Sequence, residues 1–228
     1  THILGSVLTA EGTLNVIIEP AFINDEDHVV EIWDGHTVSE PKKDAQGNYL
    51  VTKPEELAWV AKQVNEEGKT FEGVTVYLTS DIDLAGQVWT PIGAGETPFK
   101  GTFEVLPSPL TKSAAEYCAI YGLNVNYTEG PAGLFGWLNG TVKNVTLDAP
   151  VVKGETCVGA VAGKIFNSGL VDGCQVNGGS VYGNHYVGGV VGYAYGSVTN
   201  CVVDGVAVTG AAVQGNEDLD GDKVGGVL

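Results

Sequence analysis

One short peptide, written several times, limits what this chain can fold into. Val158-Gly159-Ala160-Val161-Ala162-Gly163 returns as Val187-Gly188-Gly189-Val190-Val191-Gly192 and begins again as Val224-Gly225-Gly226-Val227-Leu228. A worn copy stands upstream as Ala132-Gly133-Leu134-Phe135-Gly136. Two other blocks travel with it. An apolar-x-x-apolar-x-apolar block reads Ile120, Leu123, Val125; Val142, Val145, Leu147; Val171, Cys174, Val176; and Val198, Cys201, Val203. A valine stands just ahead of a glycine in Val152/Gly154, Val181/Gly183 and Val208/Gly210. Val142 to Val171 is a step of 29 residues and Val171 to Val198 a step of 27, whereas Ile120 to Val142 is only 22.

Self-similarity at a period of about 20–50 residues is the mark of a solenoid. The blocks are short, valine-rich and punctuated by glycine, which reads as strand and turn rather than helix. Three strands per repeat, each stacked about 4.8 Å from its counterpart in the next, make a parallel β-helix. Parallel crossovers are overwhelmingly right-handed, so a right-handed coil is expected. Two core columns follow from the alignment, Leu123/Val145/Cys174/Cys201 and Val152/Val181/Val208. The glycines are expected at corners, where the chain needs positive φ or a close backbone approach. No glycine-rich phosphate loop stands between a strand and a helix.

Ahead of the repeats the pattern changes. Residues 1–32 lie outside it, with strand-like Leu14–Ile18 and His28–Ile32; they read as a separate β-rich segment, such as the end of a preceding sandwich. The solenoid is expected over 33–228. One amphipathic helix is expected over 53–67: Leu57, Val60, Ala61 and Val64 share a face, Thr52 and Glu55 form a capping box, and Gly68 closes it. It is expected to lid the first coil. Leu106–Glu116 is a loop insertion. The last block stops at Leu228 in mid-motif, so an uncapped coil able to associate end to end is expected there.

Charge narrows the partners. The net charge is −17, the basic side chains number eleven, and all of them are lysine. Nucleic-acid binding is excluded in practice, because phosphate contacts need basic groups. Anionic polysaccharides are disfavoured for the same reason. No apolar run is long enough to span a membrane.

An ordered series of motifs carries a family resemblance over Trp33–Leu228. The series is Trp33-Asp34-Gly35, Glu56-Leu57-Ala58-Trp59, Asp81-Ile82-Asp83-Leu84, Trp89-Thr90-Pro91-Ile92-Gly93, Phe99-Lys100-Gly101-Thr102-Phe103, Ala132-Gly133-Leu134-Phe135-Gly136 and the Val-Gly-Gly blocks. It resembles the GLUG-motif proteins, surface and secreted proteins of bacteria, plentiful in gut Bacteroidetes and also attached to adhesins and immunoglobulin-A-type metallopeptidases. The resemblance implies an all-β, right-handed parallel β-helix with a place outside the cell or at its surface, associated with the outer membrane. It implies no catalytic residues. The chain departs from the pattern at Glu104–Glu116, where Val105-Leu106-Pro107-Ser108-Pro109 replaces a short Asp-Gly turn.

Four groups of residues could carry chemistry. Tyr182, Tyr186, Tyr193 and Tyr195 fall on neighbouring blocks, and Tyr182 follows core Val181 and so points outward. Exposed tyrosines on a flat parallel face can stack on sugars or anchor a protein, or simply line the surface. Asn216, Asp218, Asp220 and Asp222 fit the first half of a calcium loop, with Gly221 for the turn but valine at the twelfth position where a glutamate belongs. Calcium is therefore the candidate cofactor, against a solvated acidic turn. Asp81 and Asp83 alternate on a strand and could do acid–base work, or cap turns. With no arginine, a lyase set is disfavoured. Cys174 and Cys201 stack on adjacent coils, as a disulfide or as two small apolar groups; Cys118 and Cys157 have no evident partner. The expectation is a non-catalytic, adhesin-like module that binds a glycan or a protein. The alternatives are a polysaccharide-active β-helix enzyme and a structural spacer of a larger surface protein.

Overall fold

The computed structural model describes residues 6–8, 14–16, 30–95, 97–107, 117–210 and 224–225. Successive coils stack as a parallel β-solenoid. A full coil holds five short strands rather than three, as in Thr141–Lys143, Thr146–Asp148, Val151–Gly154, Thr156–Gly159 and Ala162–Ile165. Each lies on one of five sheets, numbered here in that order and parallel throughout except where Lys42–Lys43 pairs antiparallel with Tyr49–Val51 at the edge of the first. The first two sheets are seven- and six-stranded, the third is four-stranded, and the fourth and fifth are three-stranded.

The extra strands come from bends the repeat alignment conceals. The apolar-x-x-apolar-x-apolar block breaks at Asn144, Gly173 and Asn200, all with φ between 53° and 66°. The Val-Gly-Gly block breaks in its middle, sending Thr156–Gly159 to the fourth sheet and Ala162–Ile165 to the fifth. Its glycines hold ordinary φ. What they permit is close approach: a Cβ on Gly159 would stand 2.5 Å from both the Ala162 carbonyl oxygen and the Gly192 nitrogen. No side chain fits between backbones packed that tightly.

Register corrects the first repeat. Ile120 pairs with Leu147 and Val125 with Val152, so the step there is 27 residues. Phe103, not Ile120, pairs with Val142. The residues beyond Val105 that interrupt the run from the first sheet to the second hide this match, and the 22-residue step has no counterpart in the structure. Leu123 consequently leaves the cysteine column, because its carbonyl accepts the Val151 N–H at the approach to the third sheet. Cys118 takes its place, one residue ahead of the Ala119–Thr146 pair. The column is Cys118, Val145, Cys174, Cys201. The Val152/Val181/Val208 column stands as expected, extended upstream by Val125.

All inward columns are apolar, and Val142, Leu147, Val158, Val171, Val176 and Val181 are fully buried. The N-terminal coils fill with rings: Tyr49, Phe71, Phe99, Phe103 and Phe135 form a chain of contacts 5.3–5.7 Å between centroids. In the last fully paired coil Val198, Cys201, Val203 and Val208 are only half-buried.

The lid is helix α1, Pro54–Asn65. Leu57, Val60, Ala61 and Val64 are its buried face, as the spacing predicts. Its start differs by one residue. Lys53 is the N-cap, because Pro54 suits the first helical position, where its missing N–H costs nothing. The third residue is then Glu56, whose carboxylate accepts the Thr52 N–H at 2.7 Å, the Thr52 hydroxyl at 3.0 Å and the Lys53 N–H at 3.1 Å. At the other end the Asn65 side chain accepts the N–H groups of Gly93 and Ala94 and donates to the Pro91 carbonyl. Both ends of the lid are thus tied to the solenoid or its flank.

Ahead of the lid, Ser6–Leu8 and Leu14–Val16 pair antiparallel. Glu31–Ile32 already pairs with Ile82–Asp83 on the second sheet, so the solenoid's pairing reaches two residues upstream of Trp33.

Candidate functional site

The fifth sheet carries the most distinctive surface. Its strands Phe135–Leu138, Ala162–Ile165 and Val191–Ala194 bury Phe135, Ala162 and Val191 inward. The pleat turns the alternate residues out. Trp137 pairs with Lys164 and Lys164 with Tyr193, so these three form one outward column. Neighbours extend it. Phe166 stacks on Trp137, centroids 5.3 Å apart and planes 16° apart. Tyr193 contacts Tyr186 and Tyr195 edge to face, each at 4.9 Å. The Lys164 ammonium lies 4.9 Å from the Trp137 ring, 5.3 Å from Tyr193 and 5.6 Å from Tyr195. Six side chains from three coils therefore form a continuous aromatic strip around a single cation.

The strip opens at its Trp137 end into a cleft of about 570 Å³ lined by Ala94, Gly95, Tyr127, Glu129, Trp137 and Phe166. The Tyr127 hydroxyl donates to the Ala94 carbonyl at 2.9 Å and fixes one wall. Burial and then the nearby Glu129 carboxylate raise the Tyr127 pKa, so its phenol stays protonated. At the other end, a hydrogen bond with Tyr195 raises the Tyr193 pKa.

The strip also carries polar groups at its surface. The indole N–H of Trp33 donates to the Thr37 carbonyl and that of Trp89 to the Leu134 carbonyl. Half-buried Trp137 has no acceptor for its own among the described residues. Tyr195 is 58 % exposed. Rings that combine apolar faces with N–H and O–H tips match ligands that alternate C–H faces and hydroxyls.

Of the four tyrosines named together from the sequence, the structure brings three into ring contact. Tyr182 points outward as predicted, with Val181 buried beside it, but it stands on the third sheet under the Lys153 ammonium, 5.8 Å from the ring centroid. It makes no ring contact with the other three. Trp137, Lys164 and Phe166 escape a search of single blocks. The signal lies across blocks: Trp137, Lys164 and Tyr193 each follow the last glycine of a Val-Gly-Gly copy, after Gly136, Gly163 and Gly192.

The other candidates are placed as follows. Asn216, Asp218, Asp220 and Asp222, the expected calcium loop, lie outside the described residues. The Asp81 carboxylate accepts the Ala119 N–H and that of Asp83 the Ala85 N–H, both at 2.7 Å, so Asp81 ties one coil to the next and Asp83 braces its own turn. All four cysteines are thiols. Cys201 donates to the Thr199 carbonyl at 3.2 Å, and a hydrogen bond with Cys174 lowers the Cys201 pKa while raising that of Cys174. A second cleft of about 550 Å³ runs between α1 and Trp33–Val38, yet its two indoles are buried and their N–H groups already engaged.

A parallel β-solenoid with a helical lid and an aromatic strip on one sheet defines the class. More specifically, the chain contains a GLUG motif, matched by that family's model over residues 183–209. The match covers one coil and includes Tyr186, Tyr193 and Tyr195. No curated protein shows a significant match to the sequence. Among solved structures, a candidate immunoglobulin A1 protease from Bacteroides ovatus is similar at 14 % identity and a TM-score of 0.38, over 83 % of this chain and 86 % of that one. A likeness at that score carries no inference for this chain.

Proposed function

We propose that this chain is a non-catalytic binding module, secreted or displayed at a bacterial cell surface, that holds a glycan along its fifth sheet. The observation that carries the reading is the outward column Trp137–Lys164–Tyr193, flanked by Phe166, Tyr186 and Tyr195 and opening into the Tyr127–Glu129 cleft. Stacked coils present side chains at a fixed spacing of about 4.8 Å, so Trp137 and Tyr193, two coils apart, are about 10 Å from each other along the strip. That is the scale of a disaccharide. A rigid platform of rings at sugar spacing loses little entropy on binding.

The non-catalytic part of the reading is supported by the commitments of Asp81 and Asp83, whose carboxylates are engaged by backbone N–H groups. The GLUG motif supports a location outside the cell or on its surface.

A binding screen of the purified chain tests this, run against neutral and acidic glycans and host extracellular proteins, with calcium and with chelator. Glycan capture that Trp137→Ala removes is the expected result. Capture of proteins but no glycan would replace the ligand class. Capture that depends on calcium and ignores Trp137→Ala would move the site to Asn216–Asp222.

A further inference from the structure

We infer that the strip recognises a sugar bearing one anionic group, and that Lys164 is the residue that selects it. The inference rests on the glycan-binding reading above and adds the ligand's charge.

Lys164 is the cation of the strip. The chain has a net charge of −17, and four of its lysines find a carboxylate. Lys43, Lys53, Lys62 and Lys100 pair with Glu40, Glu31, Glu66 and Glu72. Lys164 enters no ion pair among the described residues. It lies among three rings instead; Lys69 also lies among three rings, but its ammonium donates to the Tyr49 hydroxyl. Ring faces attract a cation through their quadrupoles. They do not neutralise it, and they do not occupy its three N–H donors as an oxygen would. One titratable neighbour that feels the Lys164 charge is the Cys157 thiol. It is buried and its pKa is raised, chiefly by that burial, so it supplies no anion. The ammonium is therefore held in place, partly desolvated and uncompensated, at the centre of the strip.

The surroundings set what can approach. Apolar rings lower the local dielectric, and an ion pair formed there is stronger than one in open water. The carboxylate of Glu129 stands at the cleft end, beyond Trp137 and Phe166. An acidic sugar is repelled there, whereas a neutral one can donate hydroxyls to it. The strip thus has a polarity: a neutral sugar toward Glu129, an anionic group at Lys164. The protein's overall charge adds a length limit. At physiological salt the Debye length is about 8 Å, so one anion at Lys164 feels the local cation, while a long polyanion also meets the acidic surface outside the strip. The ligand is accordingly an otherwise neutral glycan with a single acidic sugar, carrying a carboxylate or a sulfate.

Matched oligosaccharides test this. The probes are a neutral β-linked tetrasaccharide, the same chain ending in a uronic acid, the same chain ending in a sulfated hexose, and a long polyuronate. Affinities are measured for wild type, Lys164→Gln and Lys164→Arg, with circular dichroism to show that each variant is folded. The wild type is expected to bind one or both acid-ended chains about tenfold more tightly than the neutral one, the gain of a single charge-assisted contact. The carboxylate and sulfate arms tell the two anions apart. In Lys164→Gln that ratio falls to about one, whatever the neutral affinity becomes, and Lys164→Arg keeps it, since arginine also stacks on rings. An equal ratio in wild type and Lys164→Gln, or preferred capture of the polyuronate, overturns the inference but leaves the strip standing provided Trp137→Ala still abolishes neutral binding. Failure of every glycan to bind the wild type removes both.

Discussion

Trp137 and Tyr193 occupy the same outward column of the fifth sheet, two coils apart, with Lys164 as the one residue between them. Neither ring supports the core, since the inward positions of the same strands are filled by Phe135 and Val191. Trp137→Ala and Tyr193→Ala should each weaken glycan binding by about tenfold or more, the usual cost of truncating an aromatic anchor. The melting temperature should change little. Titration calorimetry beside thermal denaturation separates the two effects.

The bend of the Val-Gly-Gly block makes an opposite prediction at Gly159. A methyl group there meets the Gly192 nitrogen and the Ala162 oxygen at 2.5 Å, both of them backbone atoms that cannot step aside. Gly159→Ala should destabilise the fold by about 3 kcal/mol or prevent folding, as overpacking against backbone does. At Gly95 the φ is ordinary and the space open, so Gly95→Ala should leave stability unchanged or slightly higher. Denaturant unfolding of the two variants checks the contrast.

Glu56 is the nearly buried carboxylate that receives three donors at the start of α1. Glu56→Ala strands the Thr52 and Lys53 N–H groups and should cost about 1–2 kcal/mol. Glu55→Ala, one residue earlier and outside that cap, should cost less. Hydrogen exchange at residues 52–60 should rise in the first variant only.

Thiol chemistry follows from the cysteine column. Cys201 is half-buried and its pKa is lowered by the Cys174 hydrogen bond, so it should react first with an alkylating reagent at neutral pH. Cys118 is fully buried and its pKa is pushed up to about 11, chiefly by that burial. A raised folded-state pKa means the neutral thiol is the form the fold prefers. That contribution is complete below about pH 9 and is lost as pH rises from 9 toward 11. Cys118→Val, with the side chain that Val145 already places in this column, should flatten that part of the stability–pH curve. Mass spectrometry of alkylated sites and melting curves across the pH range read the two effects.

Much of the architecture was legible because the repeat writes each core column out in valine. Val152, Val181 and Val208 stack as their spacing predicts, and the buried face of α1 is the one the helical periodicity names. The number of strands was not legible, because the bends that divide the apolar blocks are set by Asn144 and Asn200 as well as by Gly173, and left-handed backbone at asparagine leaves no mark in a glycine count. The first register was misread because an insertion separates Phe103 from Ile120, and Ile120-x-x-Leu123-x-Val125 imitates the block it does not belong to. The site was half legible for a similar reason. Tyrosines near one another in sequence drew attention, but the strip is assembled across coils. Only the pairing of Trp137 with Lys164 and Lys164 with Tyr193 separates its members from Tyr182.

The central claim is that the fifth sheet is the binding face, and one comparison tests it most directly. The glycan captured best by the wild type is titrated into Trp137→Ala/Tyr193→Ala/Tyr195→Ala and, separately, into Tyr182→Ala. Loss of binding in the triple variant, with the fold intact and Tyr182→Ala unaffected, is the predicted result. Undiminished binding by a folded triple variant, or loss in Tyr182→Ala alone, would place the site on another face and contradict the account.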